Sequence, residues 1–546
     1  MTPAGRRANT ELGLLLIALL VTALAAVLVE LVVDPDLPPG RFLYLAPLPV
    51  LAAGVHLLKR RLAPGSDPVL IPVTLLLNGL GLVMMRRIDL AELAQDADAA
   101  QLAPTQGVWT TVAVLAFAGT LVVLRDYGTL DGYRYVIGLG AVVLLLTPLL
   151  PGLGQEISGA RIWLQIGGMT IQPVEVAKLG FVVFFASYLA EKRDLLSFAT
   201  SRLGPLMSPP PRAFAPLLIL WALGMAVQGL QNDLGPSLLL FGVFIVMIYV
   251  ATGRAIYPIA SLLLAALGGW FAYTQFAHVS SRVAIWFDPR GDEFGAGQLL
   301  ESLFAFGTGG IFGVGLGQGQ PDFIPAVRTD FVFAAIGEEM GLLGATAVLL
   351  CFVLLAGRGF RIALGARDEF GTLLALGLTT IFALQVFIIV AGVTRLIPLT
   401  GITLPFVSYG GSSLLANWVL IALLVRVSAP ITPRRTRERT DDEFPEDAQT
   451  AHVPAAASAA EAAPAGTPTR EPEAAGAGEQ PGGTGVDQPT GAMDPVDLPD
   501  PEASGSPADT GSPPGASHAE ADDGEEPGSE DDEEDWGPPD RGGGRR

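Results

Sequence analysis

Apolar runs close to twenty residues long alternate with short polar breaks over most of this chain, and about twenty apolar helical residues cross the hydrocarbon core of a bilayer. The pattern predicts spans near Leu14–Val33, Phe42–Leu58, Pro68–Met85, Val108–Leu124, Tyr135–Leu150, Val174–Leu189, Phe214–Gly229, Pro236–Thr252, Ile256–Phe276, Phe331–Gly357, Phe370–Ala391 and Ser412–Val427. The expected fold class is therefore an all-α polytopic membrane protein of about twelve helices. The first run exceeds the apolar segment of a signal peptide and is expected to remain as a span. No repeat of fixed period stands out.

Threading the spans alternately puts Arg6-Arg7, Lys59-Arg60-Arg61, Arg125 with Arg134, Lys192-Arg193 with Arg202 and Arg212, Arg254, Arg358 with Arg361 and Arg367, and Arg434-Arg435 on one side. Cytoplasmic loops carry such an excess, so both termini are expected in the cytoplasm. The segments holding Trp163, Asp330 and Ser408–Ser412 then emerge together on the outer face.

Charge changes this picture only at the C-terminus. The chain carries a net −21 although half of its residues are hydrophobic. From Asp441 onward stand 27 Asp and Glu against four Arg, so the tail carries −23 and the remainder +2. That tail is rich in Pro, Gly, Ala and Ser, with Phe444 and Trp536 as its only aromatics, and is expected to be disordered and cytoplasmic over 431–546. The single cysteine, Cys351, excludes an internal disulfide and any cysteine-based metal site.

Four stretches are candidates for chemistry. Residues Glu301–Gly341 begin as a Gly-rich loop, pass through Arg328-Thr329-Asp330 and run into an apolar span. An ionisable residue at the lip of a membrane body is either functional or an interfacial helix cap. Gly159-Ala160-Arg161-Ile162-Trp163 leads through Gln172-Pro173-Val174-Glu175-Val176-Ala177-Lys178 into the sixth span. Glu175 and Lys178, three apart, share a helix face. They line a wet cavity or form a buried structural pair, and Trp163 is a site residue or an ordinary interfacial anchor. Gln231-Asn232-Asp233-Leu234-Gly235-Pro236 is a tight polar turn. Leu396 to Ser413 carries two prolines and three glycines, and its Gly-Gly-Ser-Ser end offers Ser412 either as a helix cap or at an anion seat.

The segments GARIW, QPVEVAK, QNDLG, ESLFAFGTGGIFGVGLGQG, TDFVFAAIGEEMG and IPLTGITLPFVSYGGSS together resemble the ordered signatures of the SEDS family (shape, elongation, division and sporulation), the RodA/FtsW group, over about Asn78 to Val427. The resemblance implies a peptidoglycan glycosyltransferase polymerising lipid II at the outer face of the cytoplasmic membrane, in elongation or division, beside a class B penicillin-binding protein. It implies a ten-helix core over 68–430 preceded by an extra helix pair over 1–67. It places the catalytic carboxylate at Asp330, an important tryptophan at Trp163 and a charged cavity pair at Glu175 and Lys178. Three departures stand out: Val174 in place of Ser, Asn232 in place of Pro, and Ala326-Val327-Arg328 in place of Glu-Ala-His.

One carboxylate can serve as general base for the acceptor hydroxyl. A diphosphate leaves readily, so a cation can replace the acid that glycosidases need. Lys178, Arg161 and Arg328 are the sequence candidates for that cation, and a divalent ion, Mg²⁺ or Mn²⁺, is the one cofactor considered, with no organic cofactor. With one base and no second carboxylate poised as nucleophile, inversion at the anomeric carbon is expected. Glu338 and Glu339 are expected to be structural or cavity-facing. Two other classes compete: a flippase or transporter of lipid-linked precursor, which also uses broken helices and intramembrane charges, and a non-catalytic scaffold whose handle is the acidic tail.

Overall fold

Backbone polar groups in hydrocarbon must be satisfied within their own segment, so the apolar runs fold as helices. The structure, a computed structural model, describes residues 3–430 other than 34, 97, 158–159, 168, 198–200, 204–205, 209–210 and 292–295. The acidic tail, 431–546, lies outside the described residues. In chain order the helices are α1 (Pro3–Val33), α2 (Pro47–Leu62), α3 (Leu70–Gln95), α4 (Leu102–Val123), α5 (Thr129–Gly132), α6 (Arg134–Leu146) and α7 (Pro173–Ser197). They continue as α8 (Pro211–Leu230), α9 (Leu234–Thr252), α10 (Ile256–Gln275), α11 (Ala277–Phe287), α12 (Ala296–Gly309), α13 (Val332–Leu364), α14 (Glu369–Val393) and α15 (Gly411–Ser428).

Ten helices among the described residues are long and apolar enough to cross a membrane. The remaining two of the twelve expected spans are the shorter apolar helices Arg134–Leu149 and Phe214–Leu230. The chain is a multi-pass membrane protein. Within it α3, α7, α14 and α15 are central, with 83%, 83%, 72% and 78% of their most apolar windows buried, whereas α10 buries none of its window and lies at the periphery.

Polar side chains join the central helices where apolar contact alone would not select a partner. Trp418 of α15 donates to Asn78 of α3 at 2.9 Å, and Asn78 donates to Thr110 of α4 at 3.0 Å. The Trp418 ring meets Phe117 edge-on at 5.6 Å and Phe406 at 6.1 Å.

Two features depart from the expected pattern. The membrane body is helical, but the loop before α7 forms an antiparallel sheet of β1 (Gly154–Ile157), β2 (Ala160–Ile166) and β3 (Met169–Ile171), and β4 (Ser201–Leu203) pairs with β5 (Leu206–Ser208). The β-branched and aromatic residues Ile162 and Trp163 suit the extended β2, and Gly167 at φ +59° turns the chain into β3. The stretch expected to open as a Gly-rich loop is instead helical through Gly309, because Leu299, Ser302 and Ala305 repeat at helical spacing and are buried. The irregular segment begins only at Gly310.

Candidate active site

Segments distant in the chain come together around Asp330 at one end of the bundle. The residue sits two positions before α13, half-buried, where no helical register constrains it. Around it folds the segment between α14 and α15. Ser408 Oγ donates to the Thr329 carbonyl at 2.5 Å and accepts from Leu404 N–H at 2.8 Å, while Tyr409 N–H donates to the Arg328 carbonyl at 2.8 Å. A Cβ on Gly401 would lie 3.6 Å from Asp330 Oδ2 and 3.7 Å from Arg282 Nη2, at a φ of +74°. The carboxylate and the guanidinium thus both border Gly401, whose positive φ favours glycine.

Arg282 belongs to α11, an element the hydrophobic pattern did not reveal. Its Nη1 donates to the Leu399 carbonyl at 3.2 Å. α11 is clamped at its far end by Arg395, which donates to the Trp286 and Phe287 carbonyls at 2.9 and 2.7 Å, while Trp286 Nε1 donates back to the Arg395 carbonyl at 3.1 Å. The signal available in the sequence was His278 and Arg282 one helical turn apart in Ala277–Phe287, too short and too polar to count as a span.

Asp233 completes the constellation. It lies between α8 and α9, 8% exposed, with Oδ2 buried and unpartnered. Burial pushes its carboxyl up to about 7, the Glu175 charge adds to this, Arg282 opposes it and the Asp330 charge raises it further. The neighbouring Asn232 adopts φ +57°, a left-handed conformation that asparagine tolerates and that proline, with φ locked near −65°, cannot enter. The Asn232 departure thus has a local consequence: this turn is built differently from one with proline. Gln231 ties the turn to α6 by donating to the Leu145 carbonyl at 2.7 Å.

Glu175 and Lys178 form a buried pair at 2.6 Å on the first turns of α7. Lys178 also donates to Gln385 Oε1 at 2.7 Å, and Gln385 Nε2 donates to the Thr403 carbonyl at 2.9 Å. The chain from Glu175 through Lys178 and Gln385 therefore ends on the loop that covers Asp330. Lys178 is thus held by Glu175 of its own helix and by Gln385 of α14. Lys178→Ala is expected to leave Glu175 buried and unpaired and to cost about 3–5 kcal/mol of stability, read as a fall in unfolding temperature. A rate defect with no change in that temperature would instead put Lys178 on the substrate.

The other sequence candidates are placed as follows. Arg328 is turned away to Glu92 of α3, which accepts both from Nε, at 2.7 Å, and from Nη2. Arg161 is exposed on β2 with Glu156 at 3.8 Å. Trp163 is half-buried on the same strand, paired in register with Gln155. Ser412 accepts from Gln172 N–H at 2.8 Å, joining the start of α15 to the start of α7, and the N-cap of α15 is Gly410 without a side-chain cap bond. Glu339 accepts from Arg87 at 2.6 Å and from Gly317 N–H at 2.9 Å, and Glu338 accepts from Gln320 N–H at 3.2 Å, so both hold the Gly-rich segment against α13.

Asp330 is pushed up to about 6, chiefly by burial, with Thr329 and the Arg282 charge opposing. A base must be unprotonated, so turnover is expected to rise with pH through about 6. Stability moves the other way. The folded carboxyl holds its proton more tightly than the unfolded one, so its contribution is full below the ordinary 3.8 and is lost as pH rises through about 6. Arg282→Gln removes the opposing charge and is expected to move the acidic limb of the pH–rate profile up by about one unit. An unmoved limb would separate Arg282 from the base.

A multi-pass helical membrane protein with a half-buried carboxylate and an arginine at one end of the bundle, under a loop broken by glycine and proline, is the class that fold and site define. Residues 68–432 match the cell cycle protein family of FtsW, RodA and SpoVE, and the chain belongs to that family. It is 46% identical over 440 residues to the peptidoglycan glycosyltransferase RodA of Mycobacterium tuberculosis, covering 80% of this chain and 94% of that protein. It is 37% identical over 372 residues to the stage V sporulation protein E of Bacillus subtilis, covering 66% of this chain and 96% of that one. A chain from a peptidoglycan synthase complex that coordinates polymerization and crosslinking superposes with a TM-score of 0.53 at 25% identity, over 66% of this chain and 97% of that chain. The resemblance carried by the signature segments is borne out.

Proposed function

We infer that this chain is a peptidoglycan glycosyltransferase that polymerises lipid II at the outer face of the cytoplasmic membrane, with Asp330 as general base. The observation that supports the reading is the placement of Asp330 and Arg282 around Gly401, near enough for the arginine's charge to act on the carboxyl. Asp330, ionised at neutral pH, takes the proton of the acceptor hydroxyl as it attacks the anomeric carbon. Arg282 is the cation best placed to meet charge developing on the departing diphosphate. That role passes to it because Lys178 is held by Glu175 and Gln385 and Arg328 by Glu92. Burial favours the protonated form of Asp233, which lessens negative charge in the pocket beside an anionic substrate.

Among the described residues no group of three His, Cys, Asp or Glu side chains is placed to hold a metal. The donors at Asp330 therefore do not make a resident metal site. A Mg²⁺ or Mn²⁺ ion would enter with the substrate's phosphates, and no step above runs through it.

Counting the two shorter apolar helices gives twelve spans, and the co-location of site residues supports that count. Gln172 at the start of α7 bonds Ser412 at the start of α15, and Asp233 shares the charge environment of Asp330 and Arg282. These segments can all emerge on one face only if α6 and α8 both cross. With twelve crossings and the arginine-rich ends inside, both termini are cytoplasmic and Asp330 faces outward. The pair α1–α2 is then an addition before a ten-helix core. A class B penicillin-binding protein is the expected partner, in line with the synthase complex named above. A carrier would need its site near the midplane with access from both sides, whereas these groups gather at one end.

The test is polymerisation of purified lipid II by the purified chain with its transpeptidase partner, read as glycan length on a gel. Polymer supports the assignment. Translocation of lipid II across vesicles without polymer would favour the flippase.

A further inference from the structure

The end of the bundle opposite Asp330 carries a second built cavity that the polymerase reading does not use. α15 starts beside Gln172 at the Asp330 end and finishes at Ser428, whose Oγ accepts from Asp67 N–H at 3.2 Å. Just before Asp67, the first turns of α1, the last turns of α2 and the loop 63–66 enclose a cavity of about 220 Å³. Its charged walls are Arg7, Glu11, Lys59 and Arg60.

Glu11 is consumed inside this wall. One oxygen faces His56 Nδ1 at 3.0 Å and the other accepts from Lys59, whose Nζ also donates to the Asp67 carbonyl at 2.6 Å. Arg7 donates to the Gly65 carbonyl at 2.5 Å. Among the described residues neither Arg7 nor Arg60 has a carboxylate partner. The wall therefore holds two uncompensated guanidinium groups. Ser66, 2% exposed, also lines the cavity, and its hydroxyl is buried without a hydrogen-bond partner. The third contribution is the N-terminal end of α1, which has no acidic residue in its first turn and presents the positive end of a 31-residue helix.

Two arginines and an unused hydroxyl, beside the positive end of a helix dipole, are groups that suit a phosphate. Leu12 and Leu16 on α1 and Leu57 on α2 stand one or two turns further along and are 44%, 61% and 57% exposed. They offer an apolar surface for acyl chains next to a cavity for the head. We propose that this junction of the N-terminal helix pair with the core binds the phosphate of an anionic phospholipid in the leaflet on the arginine-rich side. Free phosphate shares the chemistry but makes no use of the flanking leucines.

The test is binding of phosphatidylglycerol to the full-length purified protein in mild detergent, with phosphatidylcholine and inorganic phosphate as separate arms. An arginine near an anionic surface contributes about fivefold, so the double variant Arg7→Gln/Arg60→Gln is expected to weaken phosphatidylglycerol binding by about 30-fold. A charge-matched pair outside the cavity, Arg61→Gln/Arg125→Gln, is expected to change it less than about twofold. Ser66→Ala removes no hydrogen bond present in the lipid-free protein. It is expected to leave unfolding temperature unchanged without lipid and to weaken lipid binding by about fivefold. Equal losses in both arginine pairs would overturn the site in favour of diffuse surface charge. Equal binding of phosphatidylcholine would overturn the anionic lipid, and saturation by inorganic phosphate at the same affinity would assign the cavity to the free ion.

Discussion

Asp330→Asn is expected to abolish glycan polymerisation while leaving the protein folded. The substitution keeps shape and removes the base, and loss of general-base catalysis costs on the order of 10²–10⁴ in rate. It should not cost stability. At neutral pH the wild-type carboxylate is ionised although burial has pushed its pKa to about 6, so charge in that site opposes folding and a neutral amide relieves it. The expected result is absent polymer with an unfolding temperature equal to or above that of the wild type. Unimpaired polymer would remove the base assignment, and a matching loss of fold would show Asp330 to be a structural group.

Gly341→Ala is expected to be as damaging through the fold as Asp330→Asn is through chemistry. Gly341 interrupts α13 at φ +65°, ψ −170°, a conformation open essentially to glycine alone. A Cβ there would sit 2.2 Å from Gly313 N and 2.6 Å from the Ile311 carbonyl, both of them backbone atoms with no freedom to swing aside. The interruption also frees helical groups that the Gly-rich segment then satisfies. Leu342 and Leu343 donate to the Gly310 and Ile311 carbonyls at 2.9 and 3.1 Å, and Val314 and Gly315 donate to the Glu338 and Glu339 carbonyls at 3.0 Å each. Strain plus overpacking sets the cost at about 3–5 kcal/mol. Gly357, in the same helix with open space at its Cβ, is the control, since Gly357→Ala should be neutral or slightly stabilising. Equal tolerance of both substitutions would mean that the break at Gly341 does not hold the loop.

Much of the site was legible because its residues sit in segments that break the hydrophobic pattern. Asp330, Glu175, Lys178 and Ser412 all fall where a polar or Gly- and Pro-rich step meets a span, and the structure carries all four to the same end. Their partners were not legible. Nothing in the spacing pairs Arg328 with Glu92 or Lys178 with Gln385, since 236 and 207 residues separate them. Arg282 was missed because an eleven-residue amphipathic helix leaves no span-length signal. The sheet before α7 was missed because its strands have seven residues or fewer.

The sequence by itself determined that this chain spans a membrane many times, that a carboxylate stands at the threshold of one span, and to which family its ordered segments correspond. Each of these depends on composition or local spacing, which the bilayer reads one segment at a time. Only the tertiary structure decided which cation faces Asp330, which charged residues are spent on each other, and that Asp233 is buried beside them. Those outcomes depend on which loops meet at the end of the bundle, and helix packing between distant segments sets that meeting.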